Sequence, residues 1–145
     1  MTSHKKGFTL IELLVTIGML SVLMSIVIVA INPSKQIANS NNAQRKVDIN
    51  ALANAVYQYA SDNNGTLPAA ISTTPTEVCR TGGTCTGLID LSVLTTNEKY
   101  LIKIPQDPTN GSGNSSGYRI SRNANGRITV SAPYAQNGET ITVSQ

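Results

Sequence analysis

The chain has 145 residues, enough for one domain, and residues 8–31 are almost continuously apolar. Its formal charge is +3, but Lys5 and Lys6 lie in the first seven residues, and the remaining nine basic and eight acidic residues give a net of +1. This nearly neutral remainder gives no electrostatic case for nucleic acid as the main partner. No nucleophile has an evident base, no Gly-rich phosphate loop follows a strand, and the only His is His4. The sequence therefore predicts no catalytic site, metal or cofactor.

Residues 8–31 predict a membrane-spanning helix. At 1.5 Å per residue the run would extend about 36 Å, and a bilayer core is about 30 Å thick. Glu12 is its one charge. The run is longer than the core of a secretory signal and no Ala-x-Ala follows it, so we expect it to be retained. Lys5 and Lys6 predict a cytoplasmic N-terminus, with the rest of the chain outside.

A second, amphipathic helical segment is predicted over residues 32–64. Pro33 predicts a kink or break before it, and Asn63-Asn64-Gly65 predicts its end. An apolar stripe repeats every four residues beside a second apolar row, and polar residues lie mostly off both. The stripe is Ala43, Val47, Ala51, Ala55 and Tyr59, the second row is Leu52, Val56 and Ala60, and the polar residues are Arg45, Lys46, Asp48, Asn54, Gln58 and Asp62. This stripe favours a helix that covers a small sheet; pairing with another helix is the alternative, although no heptad is sustained.

Residues 65–116 are rich in Ser, Thr, Gly, Asn and Pro and are predicted to be mostly loop, with a short helix or turn at 88–94 and an extended segment at 100–105. Cys79 and Cys85 lie in this region. In an exported domain their spacing favours a local disulfide; two free thiols in a cytosolic domain are the alternative. A zinc site would need about four ligands, which the sequence does not offer here.

Residues 117–145 predict three antiparallel strands with one apolar face. Asn125-Gly126 and Asn137-Gly138 are the two turn signals. A sheet this small needs a cover, for which the amphipathic stripe is the obvious candidate. The expected fold class is α+β, a long N-terminal helix packed on a small antiparallel sheet. Polar residues such as Arg119 and Ser121 alternate with the apolar ones. The apolar positions of the predicted strands are Tyr118, Ile120, Ile128, Val130, Ala132, Ile141 and Val143.

Residues 5–14, KKGFTLIELL, are very similar to the signature shared by type IV pilins, type II secretion pseudopilins and competence pseudopilins. Its parts are a short basic leader ending in Gly, then Phe, and a Glu at the fifth position of an otherwise apolar helix. Looser similarity continues at residues 44–48, 55–59 and 63–68. Residues 100–108 resemble a segment of the major pseudopilins of type II secretion.

The resemblance implies a pilin-like fold in which residues 1–7 are a leader. Prepilin peptidase, a membrane aspartyl protease, would cut between Gly7 and Phe8 and then N-methylate Phe8. Glu12 would pair with the N-terminus of a neighbouring subunit during assembly. The implied partners are copies of the chain and other pilins, the inner-membrane assembly platform and, before assembly, membrane lipid. The chain would begin as a single-pass membrane protein and end in a cell-surface or envelope-spanning filament.

Three features depart from the family pattern. Pro33 lies later than the proline of many pilins, the predicted disulfide lies mid-chain rather than near the C-terminus, and the pseudopilin calcium loop is not recognisable. Asp107 could supply one calcium ligand, but no carboxylates cluster beside it. Three glycosylation sequons, beginning at Asn64, Asn110 and Asn114, are attributed to chance.

The leading interpretation is a structural filament subunit and not an enzyme. One version is a type IV pilin. The alternative is a pseudopilin of a type II secretion or competence system that drives protein export. Residues 100–108 favour the pseudopilin, whereas the missing calcium loop and the disulfide favour the pilin. A less favoured third interpretation is a monomeric membrane-tethered binding domain, which predicts no processing at Gly7 and no oligomer.

Overall fold

The structure, a computed structural model, describes residues 7–145, so the predicted leader lies outside the described residues except for Gly7. The chain divides into two compact units, one ending at Ile37 and the other running from Ala38 to Gln145. The regular elements are α1 (Leu10–Ile31), α2 (Pro33–Asp62), β1 (Thr76–Cys79), β2 (Ser115–Arg122), β3 (Ile128–Ala132) and β4 (Ile141–Ser144), with short 3-10 turns at Ser92–Leu94 and Thr96–Glu98.

The first unit contains α1, and no residue of this helix is buried within the chain. By length and composition α1 could cross a membrane, and no other helix in residues 7–145 qualifies. The predicted break at Pro33 is confirmed. Asn32 adopts a left-handed conformation (φ 48°) that ends α1. Pro33 then opens α2, a position at which its missing N–H costs no helical hydrogen bond.

The sheet of the second unit has four antiparallel strands in the order β1-β2-β3-β4. The predicted three-stranded meander corresponds to β2, β3 and β4. The sequence prediction missed β1, an edge strand from the loop-rich region that pairs Thr76 with Ile120 of β2. Its sequence, TEVC, places two polar residues before two adjacent apolar ones, Val78 and Cys79, and so lacks the alternation that marks a strand.

One face of the sheet forms the core together with the part of α2 that lies in the second unit. The inward side chains of β2 and β3, such as Ile120 and Val130, are fully buried and cluster with Leu52 and Val56 of α2. Burying each such side chain contributes about 1.5–3 kcal/mol. The α+β fold class is therefore confirmed, with α2 as the cover of a small antiparallel sheet.

The predicted buried face of α2 was correct towards the end of the helix and wrong near its start. Ala55 is buried as expected, but Ala43 is exposed and Val47 is 63% exposed, whereas Arg45 and Asp48 are buried. A repeat of exactly four residues advances about 40° further than one turn of a 3.6-residue helix at each step. A stripe extended backwards from Ala55 in steps of four therefore rotates away from the core.

Residues 100–105, predicted to be extended, join no strand of the described sheet. The N–H groups of Tyr100 and Leu101 both donate to the carbonyl of Leu94, and the N–H of Ile104 donates to Thr81 Oγ1. The predicted helix or turn at 88–94 is confirmed only at its end, where the first 3-10 turn lies.

Candidate functional site

The predicted processing site lies immediately before α1. Gly7 and Phe8 have irregular backbone, and the Phe8 side chain is 85% exposed. Thr9 caps the helix: its Oγ1 accepts from the Glu12 N–H at 3.3 Å. Glu12 completes a capping box, because its Oε2 accepts from the Thr9 N–H at 2.9 Å and from the Thr9 hydroxyl at 2.7 Å.

Only one oxygen of the Glu12 carboxylate is used in these contacts. Within residues 7–145, Oε1 has no hydrogen-bond partner, whereas Oε2 has two. The hydroxyls of Thr16, Ser21 and Ser25 donate to carbonyls four residues earlier, at 2.6–2.9 Å. The hydroxyls of α1 are thus satisfied by their own helix, and Glu12 alone presents a charge with spare acceptor capacity.

A second polar site is buried between α2 and the Asp107 loop (residues 107–111). Arg45 is fully buried, and its Nε and Nη2 donate to the two carboxylate oxygens of Asp107 at 2.6 and 3.0 Å. The backbone N–H groups of Thr109 and Asn110 also donate to Asp107 Oδ1, at 2.8 and 2.9 Å. This bidentate pair fixes the loop to the helix.

Ionisation at this pair follows from the competition between burial and hydrogen bonding. Burial raises the pKa of Asp107, but the hydrogen bonds from Arg45, Thr109 and Asn110 outweigh it and hold that pKa below its ordinary value. The same hydrogen bonds with Asp107 raise the pKa of Arg45. Both groups are therefore charged at neutral pH.

Two further contacts extend the polar face of α2. Asn42 pairs with Gln136 in both directions, donating to its carbonyl at 2.8 Å and accepting from its N–H at 2.9 Å. This fixes the β3–β4 loop (residues 133–140) to α2. The Tyr118 hydroxyl donates to Asp48 Oδ2 at 2.6 Å. Burial and this bond raise the pKa of Tyr118 well above its usual range.

The donor set at Asp107 does not fit a calcium ion. Calcium prefers six to eight oxygen ligands, but here a guanidinium takes both carboxylate oxygens. Among residues 7–145, no three His, Cys, Asp or Glu side chains are grouped to hold a metal. Arg45 therefore occupies Asp107, which lies near the end of the segment, residues 100–108, that resembles a pseudopilin.

A disulfide joins Cys79 and Cys85, whose Cα atoms are 5.4 Å apart. It closes a loop at the end of β1. Arg80 N–H in this loop donates to the Asn114 carbonyl at 2.9 Å, and Thr81 Oγ1 accepts from Ile104 N–H at 2.8 Å. The loop is thereby attached to two neighbouring segments and is part of the folded domain.

The sequence prediction missed the polar cluster of Asn42, Arg45 and Asp48. A signal was present: these residues recur every three positions and continue into the buried row of Leu52 and Val56. A polar row in register with a buried apolar row on one helix indicates that its members have partners in the fold.

Comparisons with known proteins agree with the N-terminal site. Residues 2–28 match the prokaryotic N-terminal methylation motif. No curated protein and no solved structure matches the chain. The chain carries the hallmark of type IV pilins and pseudopilins, which are structural proteins, and the motif supports a precursor of that class. The single apolar N-terminal helix is consistent with one membrane anchor.

Proposed function

We propose that this chain is the precursor of a structural subunit of a type IV pilus or type IV pilus-like filament. Prepilin peptidase cuts after Gly7, Phe8 becomes the methylated N-terminus, and α1 anchors the chain in the membrane until the subunit polymerises with its own copies and other pilins. The observation that carries the proposal is the methylation motif on an exposed, capped apolar helix whose one charge is Glu12.

Glu12 sets the axial position of an incoming subunit. A carboxylate in a membrane helix costs up to about 2.5–3.5 kcal/mol near the bilayer centre and less towards the end, so it is favoured there only with a partner. Within the described chain Thr9 satisfies Oε2 and leaves Oε1 available. Cleavage creates an ammonium at Phe8, and methylation keeps its charge. Pairing that ammonium with Glu12 of a subunit already in the filament neutralises both charges.

The first test is the N-terminal residue and mass of the mature protein. We expect the chain to begin at Phe8 and to carry one methyl group. An uncut N-terminus would contradict the proposal and support a monomeric tethered domain.

The second test separates the pairing role of Glu12 from its capping role. Glu12→Ala removes both roles, whereas Thr9→Ala removes most of the cap and leaves the carboxylate. We expect Glu12→Ala to be inserted, folded and cleaved but absent from filaments, while Thr9→Ala assembles. Normal filament yield from Glu12→Ala, or equal losses from both variants, would refute pairing.

Of the two filament types, the polar cluster favours the pilus over the secretion pseudopilus. The sequence has no recognisable calcium loop, and Arg45 takes both carboxylate oxygens of Asp107, the one residue considered as a calcium ligand. The disulfide between Cys79 and Cys85 also favours the pilus. Electron microscopy with antibody against the chain should label long fibres outside the cell. Label confined to the envelope would favour the pseudopilin of a secretion or competence system.

A further inference from the structure

The chain contains four Asn-Gly pairs, which begin at Asn64, Asn110, Asn125 and Asn137. An asparagine followed by glycine can lose its side-chain amide without an enzyme. The backbone nitrogen of the glycine attacks the asparagine Cγ, the C–N bond to the amide breaks, and ammonia leaves as a five-membered imide closes. Water then opens the imide to aspartate or isoaspartate. The step needs the glycine N–H to give its proton to a base in solvent.

Three of the four glycine N–H groups are held in hydrogen bonds. Gly65 donates to the Ala60 carbonyl at 2.8 Å, at the end of α2. Gly111 donates to the Asp107 carbonyl at 3.1 Å, and Gly126 donates to the Asn123 carbonyl at 3.1 Å. A bonded N–H exchanges its proton with solvent only after local opening, so these three nitrogens are protected as nucleophiles.

Gly138 differs from the other three glycines. Its N–H has no hydrogen-bond partner within residues 7–145, and both Asn137 and Gly138 are exposed. Gly65 and Gly126 are equally exposed and equally uncrowded, so the free N–H is what distinguishes Gly138 from them. The Gly138 nitrogen can therefore lose its proton to solvent without prior opening of a backbone hydrogen bond.

We propose that Asn137-Gly138 is a site of spontaneous deamidation in the folded protein. Conversion replaces an amide with a carboxylate in the β3–β4 loop and adds one negative charge. Asn137 Nδ2 donates to Asn39 Oδ1 at 2.8 Å, and conversion removes this donor. The new charge also lies two residues from Glu139, which pairs with Lys46 of α2 at 2.7 Å. The modification therefore alters the loop that Gln136 fixes to α2.

The test compares the folded and unfolded full-length chain. The protein is incubated at mildly alkaline pH in detergent and, in parallel, in concentrated urea, and the four sites are followed by peptide mass mapping. In urea we expect similar rates at all four sites. In the folded protein we expect the three bonded sites to convert at least about fivefold more slowly than Asn137, the ratio that corresponds to one hydrogen bond of about 1 kcal/mol.

Two controls accompany the rates. Asn137→Gln should remove most of the ammonia released by the folded protein, and amide hydrogen exchange should be faster at Gly138 than at Gly65. Conversion of Asn64, Asn110 or Asn125 as fast as Asn137 in the folded chain would overturn the proposal. So would protection of Gly138 from exchange.

Discussion

Replacing Arg45 tests the buried polar cluster most directly. Arg45→Met keeps a long helix-forming side chain but leaves the Asp107 carboxylate buried without its cation. Breaking a buried pair in this way costs about 3–5 kcal/mol. We expect about 3 kcal/mol, the lower end of that range, because Thr109 and Asn110 still donate to the carboxylate. At roughly 4 °C per kcal/mol for a domain of this size, the melting temperature should fall by about 12 °C.

The assay is thermal unfolding of the full-length chain in detergent, followed by tyrosine fluorescence. All five tyrosines lie between residues 57 and 134, so the signal reports on the second unit. Lys46→Met is the matched control, because its exposed pair with Glu139 should change stability by no more than about 0.5 kcal/mol. Arg45→Met combined with Asp107→Leu should regain much of the loss. A melting temperature for Arg45→Met equal to that of the Lys46→Met control would refute the reasoning.

Three further predictions concern the same domain. Val56→Asp places an unpaired carboxylate at a fully buried position and should abolish the cooperative tyrosine transition; an unchanged melting temperature would show that this face of α2 is not covered. Reduction of the Cys79–Cys85 disulfide should cost about 2 kcal/mol by the chain-entropy model and lower the midpoint without unfolding the domain at room temperature; two alkylatable thiols in exported protein would contradict it. Because the folded-state pKa of Asp107 lies below its unfolded value, its contribution is complete above about pH 4 and is lost as pH falls through the folded pKa. The urea midpoint of unfolding should therefore fall as the pH is lowered below about 4. It should fall less for the Arg45→Met, Asp107→Leu double variant, which lacks this carboxylate.

Features that depend on neighbouring residues were predictable from the sequence. The apolar run, the break at Pro33 and the turns at Asn125 and Asn137 are each determined within a few positions of the chain. The three strands that these two turns connect also alternate in polarity, which fixes the face that each strand buries.

Features that depend on distant partners were not predictable. Arg45 and Asp107 are 62 residues apart, and Asn42 and Gln136 are 94 apart. The polar row on α2 indicates that its members have partners, but no local pattern identifies those partners. The sequence prediction placed Arg45 off the apolar stripe, and a charged residue on a helix is usually exposed. Only its bidentate partner makes burial favourable. The edge strand β1 was missed for a related reason, since Thr76 and Glu77 pair with residues of β2 that lie more than 40 positions later in the chain.

The order in which the chain is synthesised gives the polar row on α2 a further consequence. α2 is complete at Asp62, but Asp107 and Gln136, which bind Arg45 and Asn42, come 45 and 74 residues later. At a synthesis rate of about 5–20 residues per second, roughly 4–15 s pass between completion of the helix and synthesis of Gln136. During that interval water can hydrate the row of Asn42, Arg45 and Asp48. An entirely apolar row at the same positions would instead associate with other unfinished chains. A chain that stops before Asp107 should therefore remain soluble in detergent while being rapidly cleaved by protease, and aggregation of that fragment would contradict this account.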